Sequence, residues 1–323
     1  DVNGVYYINA NLAPPTGAFT GVDKRQRYTP TANCINSNIT SAIVLKNQDV
    51  GYSYSLSGSL EKSFMSGFYA KAAYNYGVAR NTVDPGSIAF GSWANNPHSN
   101  DPNNPGLAYS ENSPGHRSFL ALSYRREYFR FGATSISLFA ERRTQGNSDY
   151  IFANDVNGDG GTNDLIYIPR DQSEMSFVPY TSGSRTFTAA EQAAAFDAFI
   201  EADPYLRANR GEYAERGAAF LPQVVRADFS IAQELFRTLQ GRRNSLQVRL
   251  DILNVGNLLN NDWGVGTRRT TTRPLTNGGA NAAGVLTYRL QNAGGELISS
   301  PFAMNSGIGD VYRMQLGLRY SFM

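Results

Sequence analysis

Residues 311–323 read Val311-Tyr312-Arg313-Met314-Gln315-Leu316-Gly317-Leu318-Arg319-Tyr320-Ser321-Phe322-Met323. Successive side chains of an extended strand point to opposite faces. Tyr312, Met314, Leu316, Leu318, Tyr320 and Phe322 therefore share one face, and Val311, Arg313, Gln315, Gly317, Arg319 and Ser321 share the other. Strands of soluble sheets most often run about 5–6 residues. An alternating run of about 12 suits a tilted strand that crosses a bilayer with its interfacial ends.

The same period recurs upstream. At 245–255, Leu246, Val248, Leu250 and Ile252 alternate with Gln247, Arg249 and Asp251; at 224–236, Val225, Ala227, Phe229 and Ile231 alternate with Arg226, Asp228 and Ser230. At 51–64, Tyr52, Tyr54, Leu56 and Leu60 interleave with serines and Glu61, and at 67–80 the apolar row is Phe68, Ala70, Ala72, Tyr74, Tyr76 and Val78. Segments 117–128 and 131–143 alternate more weakly, because Phe119 and Ala121 compete with Leu120, Leu122 and Tyr124.

Composition narrows the class. No stretch approaches the ~18 consecutive apolar residues of a membrane helix, and the mean hydropathy is −0.37, so any membrane crossing is made by strands. The 29 Lys+Arg nearly balance 27 Asp+Glu, which leaves no basic footprint for nucleic acid. A single cysteine, Cys34, excludes an intrachain disulfide and a Cys-ligated zinc site. The chain opens at Asp1 without Met, a charged n-region or an apolar h-region, which fits a removed targeting segment or a larger upstream part.

The connections alternate between short turns, near 63–67, 129–130 and 237–244, and long segments at 81–116, 144–222 and 256–310. Compact soluble domains rarely carry several such loops, whereas outer-membrane barrels have short periplasmic turns and long extracellular loops. Phe64, Phe68, Tyr128, Phe129, Phe131, Phe236, Tyr320 and Phe322 crowd the short-turn side, as a periplasmic aromatic girdle would. The apolar stretch 285–292 would spoil the alternation of direction and is placed in a hairpin within the last long loop. Thr188 and Glu191 form the pattern of a capping box ahead of a helix over 189–203 that buries Phe196, Phe199 and Ile200 and stops at Pro204. The expected fold is all-β: an antiparallel transmembrane β-barrel segment of about seven long strands, with one helix in a long extracellular loop. Bacterial single-chain barrels have even strand numbers, so residues 1–323 are expected to be the C-terminal part of a larger barrel. Within it, 1–50 is the remainder of an extracellular loop and 51–323 holds the membrane strands and their loops.

Leu250-Asp251-Ile252-Leu253-Asn254-Val255-Gly256-Asn257-Leu258-Leu259-Asn260, followed by Asp262-Trp263-Gly264, resembles the late-barrel signature of TonB-dependent outer-membrane receptors, and within them the Oar-like subgroup. Segments 155–169 (DVNGDGGTNDLIYIP), 199–215 (FIEADPYLRANRGEYAE) and 83–93 (VDPGSIAFGSW) resemble that subgroup too. The aromatic last strand is similar to the assembly signal of outer-membrane proteins, with Met323 one residue past the usual terminal Phe. The resemblance covers most of the chain from residue 50 onward and implies a 22-stranded barrel in the bacterial outer membrane. It further implies an N-terminal plug, contact with the TonB complex through that plug, and active uptake of an extracellular ligand. Neither plug nor TonB box is in this sequence. An autonomous porin or surface adhesin without TonB coupling is the alternative.

Among candidate sites, Asp155, Asn157 and Asp159 with Gly160 match the start of a calcium loop, which needs oxygen ligands at alternate positions and a glycine for the turn. Position twelve is Ile166 instead of Glu, so Asn163 or Asp164 would have to substitute; the candidate metal ligands are Asp155, Asn157, Asp159 and Asp164, with Ca²⁺ as the candidate ion. The competing account is an Asx/Gly-rich turn without metal. His98 and His116, the two histidines, flank one loop with Ser99 and Ser118 nearby, too loose a pattern to indicate a nucleophile with its base; no catalytic residue is assigned and no enzyme is expected. Arg226, Asp228, Arg249 and Asp251 are expected to form cross-strand ion pairs facing the lumen. Trp93 and Trp263 fall in extracellular loops, where they stack on a ligand or close a loop onto the rim.

Overall fold

The computed structural model describes residues 4–28, 33–86, 88–129, 131–239 and 242–322; Met323 lies outside them. Strands take up 48% of the chain and helices 11%, and the sheets are antiparallel, as an all-β protein requires. Seven long strands form one sheet: β1 Tyr52–Ser63, β2 Phe68–Asn81, β3 Gly115–Tyr128, β4 Gly132–Arg143, β5 Val224–Leu239, β6 Arg242–Leu253 and β7 Arg313–Phe322. Each pairs with its neighbour in chain order, so the path is an up-and-down meander. A short strand, Ala108–Tyr109, also pairs with β2. Among the described residues, β1 and β7 are edges that do not pair with each other.

The register aligns the alternating patterns across the whole sheet. One row runs Ala70, Leu122, Leu138, Phe229, Ile252 and Met314; the next runs Phe68, Tyr124, Ile136, Ile231, Leu250 and Leu316. The opposite face carries Ser123, Ser137, Ser230, Asp251 and Gln315 in one row. The ambiguous segment β3 resolves in favour of Leu120, Leu122 and Tyr124 on the apolar face. Phe119 lies on the polar face, where its ring sits 5.7 Å from that of Phe139.

Two boundaries differ from the sequence expectation. The turn expected at 237–244 shrinks, because β5 continues to Leu239 and β6 begins at Arg242; polar residues near the strand ends hid the alternation. Residues 240–241 lie outside the described residues. Pro204 also does not simply end the loop helix Ala189–Ala202. Proline suits the first helical position, where its missing N–H is not needed. It therefore opens a second helix, Pro204–Ala208, capped by the Asp203 carboxylate on the amides of Tyr205 and Leu206.

The main hydrophobic core is in the loops, not on the sheet. Phe152, Ile166, Ile168, Phe196, Phe199, Ile200, Leu275 and Leu286 are fully buried in one cluster that draws mainly on 144–222 and 256–310. The expected hairpin is present as Leu275–Ala280 paired with Leu286–Leu290. The described residues of 4–50 join this cap through Phe19 and carry a ladder of their own, Gly4–Asn9 against Ile43–Gln48. Trp93 is buried with Leu12 and Tyr28 in a second cluster and donates to Asn103 Oδ1 at 3.0 Å, so it closes a loop. Trp263 is 57% exposed.

The helix 189–202 begins on the expected box: the Thr188 hydroxyl accepts from the Glu191 amide at 3.2 Å and the Glu191 carboxylate accepts from the Thr188 amide at 2.8 Å. Replacing an N-cap threonine by alanine typically costs about 1 kcal/mol. Thr188→Ala should accordingly speed hydrogen exchange at the first-turn amides about fivefold while sheet amides stay unchanged. Equal exchange in both proteins would show that the box adds nothing to this helix.

Candidate functional site in the loop cap

Two polar centres lie side by side in the cap. The first is the acidic turn 155–164. Gly158 and Gly160 have φ of +84° and +94°, a left-handed backbone that glycine adopts without steric cost, and the chain folds tightly around the Asp155 carboxylate. That carboxylate accepts from the amides of Gly158 at 2.6 Å and Gly160 at 2.9 Å. Asn157 Oδ1 accepts from the Asp159 amide and Asp159 Oδ1 from the Gly161 amide. Burial, followed by the charge of Asp159, pushes the Asp155 carboxyl up to about 6 even against those two amides.

Asp164 is drawn elsewhere. One oxygen meets Arg25 Nη1 at 3.2 Å and the other accepts from the Val156 amide at 2.9 Å. Arg25 is itself buried. Its guanidinium grips Asp23 with Nε at 3.0 Å and Nη2 at 2.9 Å, donates to the Leu165 carbonyl at 2.8 Å, and lies over the rings of Phe152 and Tyr213. Burial opposes its charge, yet Asp23 and Asp164 together raise its pKa above the ordinary arginine value.

His98 joins the same centre. Residue 98 bridges to residue 164 in a parallel step, and His98 Nε2 stands 3.2 Å from Asp159 Oδ2, off the line of a hydrogen bond. His116 is distant in role: its Nδ1 pairs with Tyr74 Oη at 2.7 Å, at the loop end of β3. The nearest polar neighbours are thus Tyr74 for His116 and Asp159 for His98. Of the sequence-derived set, Asp155, Asn157 and Asp159 come together and Asp164 turns toward Arg25. Among the described residues, no three His, Cys, Asp or Glu side chains are grouped to hold a metal ion.

The second centre is a cavity of about 670 Å³ lined by Asp84, Tyr109, Glu111, Asn147, Asp149 and Arg216. Burial pushes Asp84 up, but the Glu111 amide, Ser110, Asn81 and the Arg216 charge outweigh it and hold the carboxyl below its usual range. Asp149 is raised, chiefly by burial, despite the Gly217 amide at 2.5 Å. Arg216 donates to Asn96 Oδ1 at 2.9 Å and to Asn81, and burial lowers its pKa. The lining can accept hydrogen bonds and a positive group at its carboxylates. No sequence pattern marked it, since its residues come from two separate loops, 81–116 and 144–222.

The sheet's polar face departs from the expected pairing. Arg226 reaches Asp310 at 2.6 Å, Asp228 accepts from the Asn254 amide at 2.8 Å, and Arg249 pairs with Asp251 on its own strand at 2.8 Å. The register explains this: Arg249 and Asp251 stand opposite Ala232 and Ser230. Cross-strand pairs form instead between Arg117 and Glu141 at 2.6 Å, Lys71 and Glu61 at 3.0 Å, and Arg125 and Glu234 at 2.9 Å. The signature at 250–264 also has a local role. Asn254, left-handed at φ 53°, sends its amide nitrogen to the Asp310 carbonyl, and Asn257 bonds Asn261 and Trp263, so both fasten the start of the last loop.

No protein-family model matches the chain, and no curated protein or solved structure does.

Proposed function

We propose that this chain is the closing part of the transmembrane barrel of an Oar-like TonB-dependent receptor in the bacterial outer membrane, serving active uptake of an extracellular ligand. The observation that carries the membrane reading is the sheet itself. Two of its apolar rows run in register through β2–β7, and large apolar side chains on that face are uncovered: Leu60, Leu316 and Leu318 are 80, 75 and 73% exposed. Monomeric soluble proteins rarely expose apolar patches beyond a few hundred Å², whereas lipid covers such a face in an outer-membrane barrel. The charged face opposite would then line the lumen, and the open edges β1 and β7 would meet strands outside this sequence.

The short-turn end supports the same orientation. Phe64 and Phe68 lie 5.5 Å apart there, Phe129 and Phe131 6.0 Å, and Tyr320 and Phe322 6.0 Å, in the place of an interfacial girdle. The folded cap at the other end holds the cavity around Asp84, Asp149 and Arg216, which we assign to ligand contact. The TonB-dependent part of the proposal rests on the resemblance at 83–93, 155–169, 199–215 and 250–264. In that scheme TonB pulls a plug outside this sequence, and this chain contributes barrel wall and extracellular cap.

Cysteine labelling of the full-length protein tests the orientation. In a Cys34→Ser background, Ser184→Cys in the cap should react with a membrane-impermeant maleimide on intact cells. Met65→Cys in the β1–β2 turn should react only after the outer membrane is permeabilised. Labelling of Met65→Cys on intact cells, or recovery of the protein in the cytosol, would sink the proposal. A plug encoded in frame before residue 1 separates a receptor from a porin or adhesin.

A further inference from the structure

We propose that the turn 155–163 binds one calcium ion through the side-chain oxygens of Asp155, Asn157, Asp159 and Asn163. The acidic turn alone would not carry this; Asn163 does. Its side chain is buried, with 2% of the residue exposed. Its Nδ2 donates to the Asn96 carbonyl at 2.6 Å, which fixes the amide so that Oδ1 faces the turn. That Oδ1 has no hydrogen-bond partner. A Cβ added at Gly161 would lie 2.4 Å from Asn163 Oδ1 and 3.1 Å from Asp159 Oδ1, so the two acceptors converge on one spot.

Buried acceptors almost always have a donor, and here a cation is the group that suits both oxygens at once. The amides that already bond Asp155, Asn157 and Asp159 do not exclude it. Each such oxygen has two lone pairs and an amide uses one. The four residues occupy positions one, three, five and nine of a calcium loop, and Gly160 stands at position six, where the sharp turn needs glycine. Only two of the four donors are carboxylates, so the site lacks the cluster of three acidic or histidine ligands that the described residues nowhere form.

The structure also decides between the two sequence candidates for the later ligand. Asp164 is committed to Arg25 and the Val156 amide, leaving Asn163. An all-oxygen set of two carboxylates and two amides favours calcium over zinc, which prefers nitrogen and sulfur, and over magnesium, which needs a rigid octahedron. Ile166 at position twelve is fully buried in the core and supplies no bidentate carboxylate. The affinity should therefore sit in the weak range of extracellular modules, roughly 10⁻⁴–10⁻³ M. The turn also holds the N-terminal segment, since the Tyr28 amide donates to the Asn157 carbonyl at 2.6 Å and Asn33 Nδ2 to the Gly158 carbonyl at 3.1 Å. Calcium would thus brace Tyr28 and Asn33 against the turn. The inference does not depend on the receptor proposal.

The test uses the whole chain in detergent micelles, stripped with EDTA and titrated with CaCl₂ by calorimetry, with thermal unfolding followed in parallel. The wild type should bind one equivalent saturably and melt at a higher temperature with calcium. Asp159→Asn should weaken binding at least tenfold. Asn163→Asp should bind at least tenfold more tightly, yet melt lower than wild type in EDTA, because it places another carboxylate in the buried turn. A purely structural role for Asn163 would not make that variant more calcium-responsive. Absence of saturable heat and of a melting shift in the wild type up to about 10 mM calcium, tenfold above the weak limit, would overturn the site. So would an Asn163→Asp variant that gains no affinity, or an Asp159→Asn variant that binds as the wild type does.

Discussion

On the barrel reading proposed above, Leu250→Arg should prevent stable insertion of the protein, while Gln247→Arg three residues earlier on the same strand should leave it folded. Leu250 lies between Ile231 and Leu316 in the middle of the apolar rows, whereas Gln247 faces Glu234 and Arg319 on the charged side. An arginine on the lipid face of a barrel costs roughly 2–4 kcal/mol at the bilayer midplane, and lumenal substitutions do not carry this cost. The two variants add the same charge to one strand, so propensity and net charge cancel in the comparison. Urea titration of the full-length protein folded into lipid vesicles reads the difference. Equal loss in both variants would mean that the apolar face is covered by something other than lipid.

Arg25→Met should be the most damaging single change in the cap. It removes the counter-charge of two buried carboxylates, Asp23 and Asp164, whose side chains are 8% and 0% exposed. Removing one partner of a buried ion pair typically costs about 3–5 kcal/mol, because the remaining charge has lost both water and its mate. The contact joins segments 139 residues apart, so its loss should loosen the N-terminal segment from the rest of the cap. With about 1.4 kcal/mol per factor of ten, proteolysis through local opening should rise at least 100-fold in the N-terminal segment that Arg25 ties to Asp164. The sheet should remain protected. A change below tenfold would show that Asp23 and Asp164 accept protons at little cost in place of the guanidinium.

Much of the sheet was legible because its signal is local. Strand periodicity depends only on the alternation of neighbours, and five of the seven strands alternate clearly enough to be read from single side chains. Where it failed, the cause was local too: Phe119 and Phe139 place aromatic rings on the polar face, and the polar ends of β5 and β6 hid a shorter turn. The helix after Thr188 was readable for the same reason, since a capping box spans only four residues. The cap was much less legible. Nothing near Arg25 in sequence indicates Asp164, and nothing near His98 indicates Asp159. The cavity around Arg216 is likewise assembled from loops that meet only once the cap has folded.

The sequence by itself therefore determined the all-β class, the apolar and polar sides of each strand, the loop helix and the acidic turn. These follow from backbone geometry and the spacing of a few neighbours. Tertiary structure decided the register that joins seven apolar stripes into one face and the open edges at β1 and β7. It decided too that Asp164 pairs with Arg25 while Asn163 turns its free oxygen toward Asp159. Those outcomes depend on which distant segments come into contact. Contacts between segments more than a hundred residues apart are selected by burial and charge compensation across the cap, which no local pattern encodes.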